Sequence, residues 1–315
     1  MNHTPEPNSA ARHYVGRFAP TPSGPLHAGS LLAAVVSWLD ARSVGGDWHL
    51  RIDDIDRPRV RTGAADAILG ALEAYGLGWD GAVTWQSRHA PAYQQTLEAL
   101  LDTRQAFACG CTRKDLAHHG RHGWEGPVYP GTCRNGLPPE REPRALRARV
   151  DTRHWTIEDR FLGAVAFDLE ALGSDFVIRR ADGIVAYQLA TVVDDLALGV
   201  NHVVRGIDLL GSTPRQMQLY RMLNQPPPVY AHHPVLVAAD GHKLAKATGA
   251  AAIRADAARR QLADTLARIG LAPSDMRAPD RPDRQLAEGL ERLQQRPLAE
   301  TLPVRATLPG DAGAV

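Results

Sequence analysis

The sequence predicts an α/β fold in two halves with an insertion between them. Three observations carry that expectation. A strand, a helix and a second strand follow one another across residues 14–53, which makes a βαβ unit with parallel strands and a right-handed crossover. A further helix, strand and loop occupy residues 214–246. Between the two, residues 109–140 are dominated by Gly, Pro, Cys and His and show no hydrophobic period.

Taken in order, "YVGRF" (14–18) alternates as a short strand. "RFAPTPSGPLHAGS" (17–30) then breaks the chain with prolines and glycines. Leu31, Leu32, Val35, Val36 and Leu39 follow as the apolar stripe of a helix over 28–43. "GG" at 45–46 ends it. "DWHLRID" sets Trp48, Leu50 and Ile52 against His49, Arg51 and Asp53, the pattern of a second strand. Helices are expected over 62–75 and 91–104, the latter with Pro91 at its first position. Short strands are expected across 145–200, among them "FVIRR" and "GIVAYQLATVVDD". "PRQMQLYRML" (214–223) reads as a helix and "PVLVAADGHKLAK" (234–246) as a strand, an Asp-Gly turn and a loop. A charged amphipathic helix covers 253–269. No internal repeat is found.

Composition excludes some classes. Hydrophobic residues make up 44% and charged residues 23%, ordinary values for a globular protein. The formal net charge is +1, so charge alone does not announce a nucleic-acid binder. No apolar run reaches the ~18–20 residues of a membrane span. Residues 1–12 lack the apolar core of a secretory signal and read as a disordered leader, so a cytoplasmic location and no membrane partner are expected. An odd count of three cysteines in such a chain argues for metal binding or free thiols rather than disulfides. Of 36 basic residues only Lys114, Lys243 and Lys246 are lysines, which gives weight to the pair Lys243 and Lys246.

In a first βα turn, Gly24 and Gly29 let backbone approach a ligand. A helix starting near Ala28 offers N–H groups to phosphate, and His27 stands at its mouth as a donor. A plain Pro/Gly turn with a surface histidine is the competing reading. The Walker and dinucleotide glycine patterns are both absent.

"PLHAGS" and "KLAKA" resemble the two signature motifs of the class I aminoacyl-tRNA synthetases. "GRFAPTPSGPLHAGSL", "LRIDDIDRPR", "AYQLATVVDD" and "VVRGIDLL", in this order, resemble the glutamyl branch. Only Ala247 to Val315 follow the second lysine, less than an anticodon-binding region needs, and the chain carries "CGC" and "YPGTC". Both features resemble the truncated paralogues in that branch, the glutamyl-queuosine tRNA(Asp) synthetase family. The resemblance implies a Rossmann-like class I synthetase catalytic domain with a zinc-stabilised insertion and a short helical C-terminal region. It divides the chain into the leader (1–12), a first catalytic half (13–105), the insertion (106–185), a second half with the lysine loop (186–250), a helical region (251–301) and a loose tail (302–315).

The family activates L-glutamate with ATP and Mg²⁺ without needing tRNA, then attaches it to queuosine in the anticodon of tRNA(Asp). By resemblance Arg17 and Arg205 hold carboxylates, since the guanidinium fork grips a carboxylate twice. Tyr187 adds a hydroxyl, the backbone from Phe18 and Ala19 through Pro20 to Thr21 lines the pocket, and Asp53 faces the ammonium. His27, Lys243 and Lys246 stabilise the phosphates, with Gly24 and Gly29 beside ATP. Asp54 and Asp56 read as structural. The chain departs from the family at Asp53, where Glu is usual, at Ser30, where a second histidine is usual, and at Ala245, where serine is usual.

Cys109, Cys111 and Cys133 supply three thiolates, and zinc takes four ligands. His118, His119 and His122 lie in the loop as physical candidates for the fourth. The family uses a tyrosine, and Tyr129 matches its place. One zinc per chain and a monomer are expected. Two other functions stay open here: a truncated glutamyl-tRNA synthetase charging the acceptor end, and a non-catalytic paralogue that binds ATP or an amino acid.

Overall fold

The computed structural model describes residues 13–118, 122–123, 126–236, 252–272 and 281–302. Strand β1 (Val15–Phe18), helix α1 (Ala28–Ser43) and strand β2 (Asp47–Ile52) form the expected unit, with β1 and β2 parallel and Arg17 opposite His49. His27 caps α1 at its N-terminus, and Gly45, at φ 66°, lets the chain leave it. Helix α1 is buried on most of its surface, from Leu31 through Ala41. It packs on β1 and β2 and is covered on its outer side by two helices from the far end of the chain.

Helix α2 (Ala64–Ala74) leads to the short parallel strand β3 (Thr84–Trp85), and helix α3 (Ala90–Asp102) to β4 (Ala106–Cys109). After β4 come α4 (Arg113–His118) and the small hairpin of β5 (His122–Gly123) and β6 (Gly126–Pro127). Strand β7 (Ala145–Ala148) pairs antiparallel with β4, a second hairpin joins β8 (His154–Asp159) to β9 (Gly163–Asp168), and β10 (Val177–Arg179) pairs with β7. The chain then returns through α5 (Tyr187–Ala197), β11 (His202–Gly206), α6 (Thr213–Met222) and β12 (Val229–His233). Strands β11 and β12 are parallel. Asn201 bridges β1 to the start of β11: its N–H donates to the Val15 carbonyl at 3.0 Å and its side-chain oxygen accepts from Val15 N–H at 2.9 Å. The two parallel sections therefore meet at β1 and β11, the switch point where such sheets bind ligands. Helices α7 (Ala258–Arg268) and α8 (Pro282–Gln295) cover α1, and α9 (Leu298–Thr301) closes the described chain.

Two expectations are corrected. Residues 187–197 form α5 rather than a strand. Leu189, Val192, Val193 and Leu196 recur at helical spacing, and burial of that face overrides the β-propensity of paired valines. Of the strand expected from residue 234, residues 234–236 are not in a strand and the remainder lies outside the described residues; the strand observed here is Val229–His233. Its signal was hidden because "VYAHH" ends in two histidines, both buried. Lys243, Ala245 and Lys246 lie outside the described residues.

His232 ties the insertion to the parallel sheet. Its Nδ1 meets Asp159 Oδ2 at 2.5 Å, and its backbone N–H donates to Asp159 Oδ1 at 3.1 Å. Burial, reinforced by Arg205 and only partly offset by Asp159, pushes its pKa down to about 4 from the ordinary 6.5. The folded protein therefore refuses a proton that the unfolded chain accepts between those values. Stability is full above pH 6.5 and falls as pH drops toward 4, by up to ~3 kcal/mol from this group. Urea unfolding from pH 7 to pH 5 should show this slope, and His232→Gln should flatten it while keeping a donor for Asp159. Identical slopes in the two proteins would exclude His232 as the origin.

Candidate active site

A cavity of about 480 Å³ opens at the C-terminal ends of β1, β2, β11 and β12. Its wall brings together Arg17, Phe18, Ala19, Pro20, Thr21, His27, Gly29, Asp53, Tyr187 and Arg205. Gly24 does not line it. That residue turns the chain just before α1, at φ 134°, a conformation only glycine adopts readily.

The floor is a network of buried charges. Arg51, fully buried, donates from Nε to Asp53 Oδ1 at 2.7 Å and from Nη1 to Asp195 Oδ1 at 2.5 Å, with Asp194 at 3.7 Å. Arg17 Nε shares Asp195 at 3.2 and 3.3 Å. Asp194 also accepts from Gln86 at 2.7 Å and Tyr93 at 2.8 Å, and meets His89 Nδ1 at 2.7 Å. Two guanidinium groups thus face three carboxylates. Burial would raise Asp195, but Arg17 and Arg51 hold it below the usual range. Burial, reinforced by Asp194, pushes Asp53 up to about 6 against the pull of Arg51 and, more weakly, Arg17. Among the described residues Arg17 Nη1 and Nη2 have no partner, and Arg51 Nη2 is buried without one.

Arg205 has a different setting. It is 5% exposed, and each of its donors meets a neutral acceptor: His232 Nε2 at 3.1 Å, Gln216 Oε1 at 2.9 Å and Thr213 Oγ1 at 2.7 Å. The ring of Tyr230 lies 5.3 Å from its guanidinium carbon. Because His232 Nδ1 is turned to Asp159, its Nε2 lone pair is the one that accepts from Arg205. The result is a fixed cation with no carboxylate on it among the described residues. Tyr187, 39% exposed, opens α5 at the same cavity.

At the other end, His27 Nδ1 accepts from the N–H groups of Gly29 and Ser30 at 3.1 and 3.4 Å. Those two N–H groups, expected to be open to phosphate, are instead used in capping. The same bonds fix the ring's proton on Nε2. Asp54 accepts from Ser87 and Asp56 pairs with Arg180 at 3.5 Å, the structural roles their positions suggested.

The three cysteine sulfurs lie within 4.8 Å of one another and can hold a metal ion. Cys111 and Cys133 sulfurs are 3.8 Å apart, and the Tyr129 hydroxyl is 3.9 Å from Cys109 Sγ. Tyr129 Oη accepts from Cys133 N–H at 2.7 Å. Burial and the neighbouring sulfurs push the Cys111 thiol up to about 12. Arg147 donates to Cys109 Sγ at 3.3 Å and stacks over Tyr129 at 4.0 Å. Of the loop histidines, His118 bonds to its own helix at Lys114 O, His122 is exposed on β5, and His119 lies outside the described residues. Neither His118 nor His122 joins the sulfur cluster.

Arg51, Asp194, Asp195, His232 and Asp159 are the site residues that sequence reasoning misses. The acidic pair that closes the apolar run "LATVVDD" was the available signal, since two carboxylates on a buried helix face need cations.

Residues 14–279 match the family described as tRNA synthetases class I (E and Q), catalytic domain. The chain is 54% identical to the glutamyl-Q tRNA(Asp) synthetase of Chromobacterium violaceum over 260 residues, 82% of this chain and 87% of that one. It is 50% identical to the protein of the same name from Bordetella bronchiseptica over 273 residues, 85% and 86% of the two chains. Its fold is similar to the crystal structure of the glutamate-tRNA synthetase from Elizabethkingia anophelis, with a TM-score of 0.73 at 24% identity; the match covers 87% of this chain and spans 65% of that synthetase's length. The chain belongs to the glutamyl-Q tRNA(Asp) synthetase family, within the class I tRNA synthetases of the E and Q type.

Proposed function

We propose that this protein activates L-glutamate with ATP in the absence of tRNA and transfers it to the queuosine base in the anticodon of tRNA(Asp). The cavity's charge map carries the chemistry. Arg205 is a cation held only by neutral groups, while the Arg17–Arg51 cluster has one carboxylate in excess. A ligand with a carboxylate at one end and an ammonium at the other completes both. Arg205 receives one glutamate carboxylate and the terminal nitrogens of Arg17 are open to the other. Asp53 receives the ammonium, and Tyr187 adds a hydroxyl. The names of the relatives support glutamate and queuosine tRNA(Asp) as substrates.

The glutamate carboxylate attacks the α-phosphorus of ATP in line, and pyrophosphate leaves. The nucleophile is already ionised, so the protein supplies position and charge rather than a base. His27 Nε2–H donates to a phosphate oxygen, and Lys243 and Lys246 neutralise the charge that spreads over the phosphates with Mg²⁺. A queuosine hydroxyl then attacks the adenylate carbonyl, and AMP leaves.

The sulfur cluster fits zinc. Ligands at the Zn–S distance of about 2.3 Å in a tetrahedron lie about 3.8 Å apart, and Cys111 and Cys133 have that separation. Cys109 and Tyr129 complete four donors. The ion would order a loop that has little apolar core of its own.

Four measurements test these assignments. Labelled glutamate should pass to tRNA(Asp) that carries queuosine and not to tRNA(Asp) that lacks it, and glutamate-dependent ATP–pyrophosphate exchange should proceed with no RNA present. Lys246→Ala should abolish that exchange, and exchange that requires tRNA would sink the reading. The KM for glutamate should rise as pH falls through about 6, because Asp53 gains a proton and loses its hold on the ammonium while the substrate's own carboxylates, at or below about 4.3, stay ionised. Asp53→Asn should raise that KM about tenfold at pH 7.5 and remove the pH dependence. Metal analysis should find one zinc per chain, and Cys111→Ser should lower both the zinc content and the melting temperature.

A further inference from the structure

We propose that the arginine turn from Arg57 to Arg61, at the rim of the cavity, is a contact surface for the phosphodiester backbone of RNA. The inference rests on the tRNA-directed reading above and goes beyond it by locating a surface for the nucleic acid. Arg57, Arg59 and Arg61 alternate with Pro58 and Val60, and all five are exposed. None of the three guanidinium groups has a hydrogen bond or ion pair among the described residues.

Several exposed arginines elsewhere carry an acid: Arg153 meets Asp168 at 2.8 Å and Glu170 at 2.7 Å, Arg180 meets Asp182 at 2.6 Å, and Arg254 meets Asp256 at 2.5 Å. The two acids that precede the turn are already engaged, Asp54 by Ser87 and Asp56 by Arg180. Three positive charges within five residues are therefore left without a counter-charge. The formal net charge of +1 is a sum over the whole chain and does not show such a local cluster.

The turn is also held in place. Arg59 N–H donates to Asp56 O at 2.8 Å and Val60 N–H to Arg57 O at 3.1 Å. Arg61 N–H donates to Pro22 O at 2.9 Å, which fixes the turn to the loop leading to His27. Arg59 itself lines the cavity, with Arg57 and Arg61 to either side of it in the chain. An acceptor base can reach the adenylate only if its flanking backbone crosses the cavity rim. A strand with one negative charge per residue matches a short row of unpaired guanidiniums, and binding gains from the counterions it releases.

The test uses Arg57→Ala/Arg61→Ala, which leaves the cavity residue Arg59 intact, with Arg57→Lys/Arg61→Lys as the charge-retaining control. Glutamate-dependent pyrophosphate exchange without RNA should keep its rate and its KM for ATP, which also shows that the variant folds. The KM for queuosine tRNA(Asp) in glutamate transfer should rise about tenfold, and the slope of log Kd against log salt should become shallower by about 2. The lysine variant should stay near wild type. An unchanged tRNA KM and salt slope would overturn the proposal, as would a raised KM for ATP, which would assign the turn to the nucleotide. Should the wild-type protein transfer no glutamate to RNA, the functional reading fails, yet fluorescence anisotropy with tRNA(Asp) still decides on the turn. Weaker binding by the alanine variant supports the contact, and equal binding overturns it.

Discussion

The carboxylate of Asp195 is the point on which the rest of the site depends. It is buried on α5, in the second half of the fold, and is shared by Arg17 on β1 and Arg51 on β2 in the first half. A lone buried carboxylate or guanidinium costs several kcal/mol. Neither half can therefore close over its own charges without the other. Arg51 in turn holds Asp53, and Asp194 recruits Tyr93, Gln86 and His89 from the segment around α3. The ion pairs set the geometry of the cavity floor before any ligand arrives, which is the preorganisation a positioning enzyme requires. Their contribution is one of register between halves, since an apolar core of equal volume could supply as much stability.

Arg205 meets the same physical problem with an opposite solution. Its donors are satisfied by a histidine ring, an amide and a hydroxyl, so its hydrogen bonds are made but its charge is not cancelled. Asp159 acts at one remove: it orients His232 so that the acceptor nitrogen faces the guanidinium. The insertion thus contributes to the Arg205 end of the cavity through β8 without lining it. Burial keeps His232 neutral, and a protonated ring at that place would repel the arginine it supports.

Much of this was legible in the sequence. The βαβ unit, the break at 17–30, α6 with Pro214 near its start and the sulfur cluster follow from local pattern, because each depends on residues close together in the chain. The cavity wall from Arg17 to Ser30 was legible too, through its motif. What escaped was long-range. Arg51 sits on a strand whose alternation marks it as polar, and only its place at the strand's end turns it into the cavity floor. Asp194 and Asp195 read as the end of a strand because paired valines precede them. His232 and His233 concealed β12, since two buried imidazoles look like surface residues until Asp159, 73 residues away, is brought against one of them. Charges paired across halves leave no local trace.

The chain's near-exclusive use of arginine now has a physical sense. A guanidinium is a rigid planar fork, suited to sites where carboxylates stay in one geometry. Arg17 and Arg51 work in that way, and Arg205 is locked at its strand end by three neutral acceptors. Phosphate chemistry asks for something else, because charge spreads over several oxygens as the reaction proceeds. A compact ammonium on a long stem follows that change better than a fork fixed by three acceptors. The two lysines after β12 and His27, the residues proposed for the phosphates, fit this division. In the proposed reading the locked arginines of the cavity define the place of the amino acid, while the lysines and His27 meet the reacting phosphates of ATP.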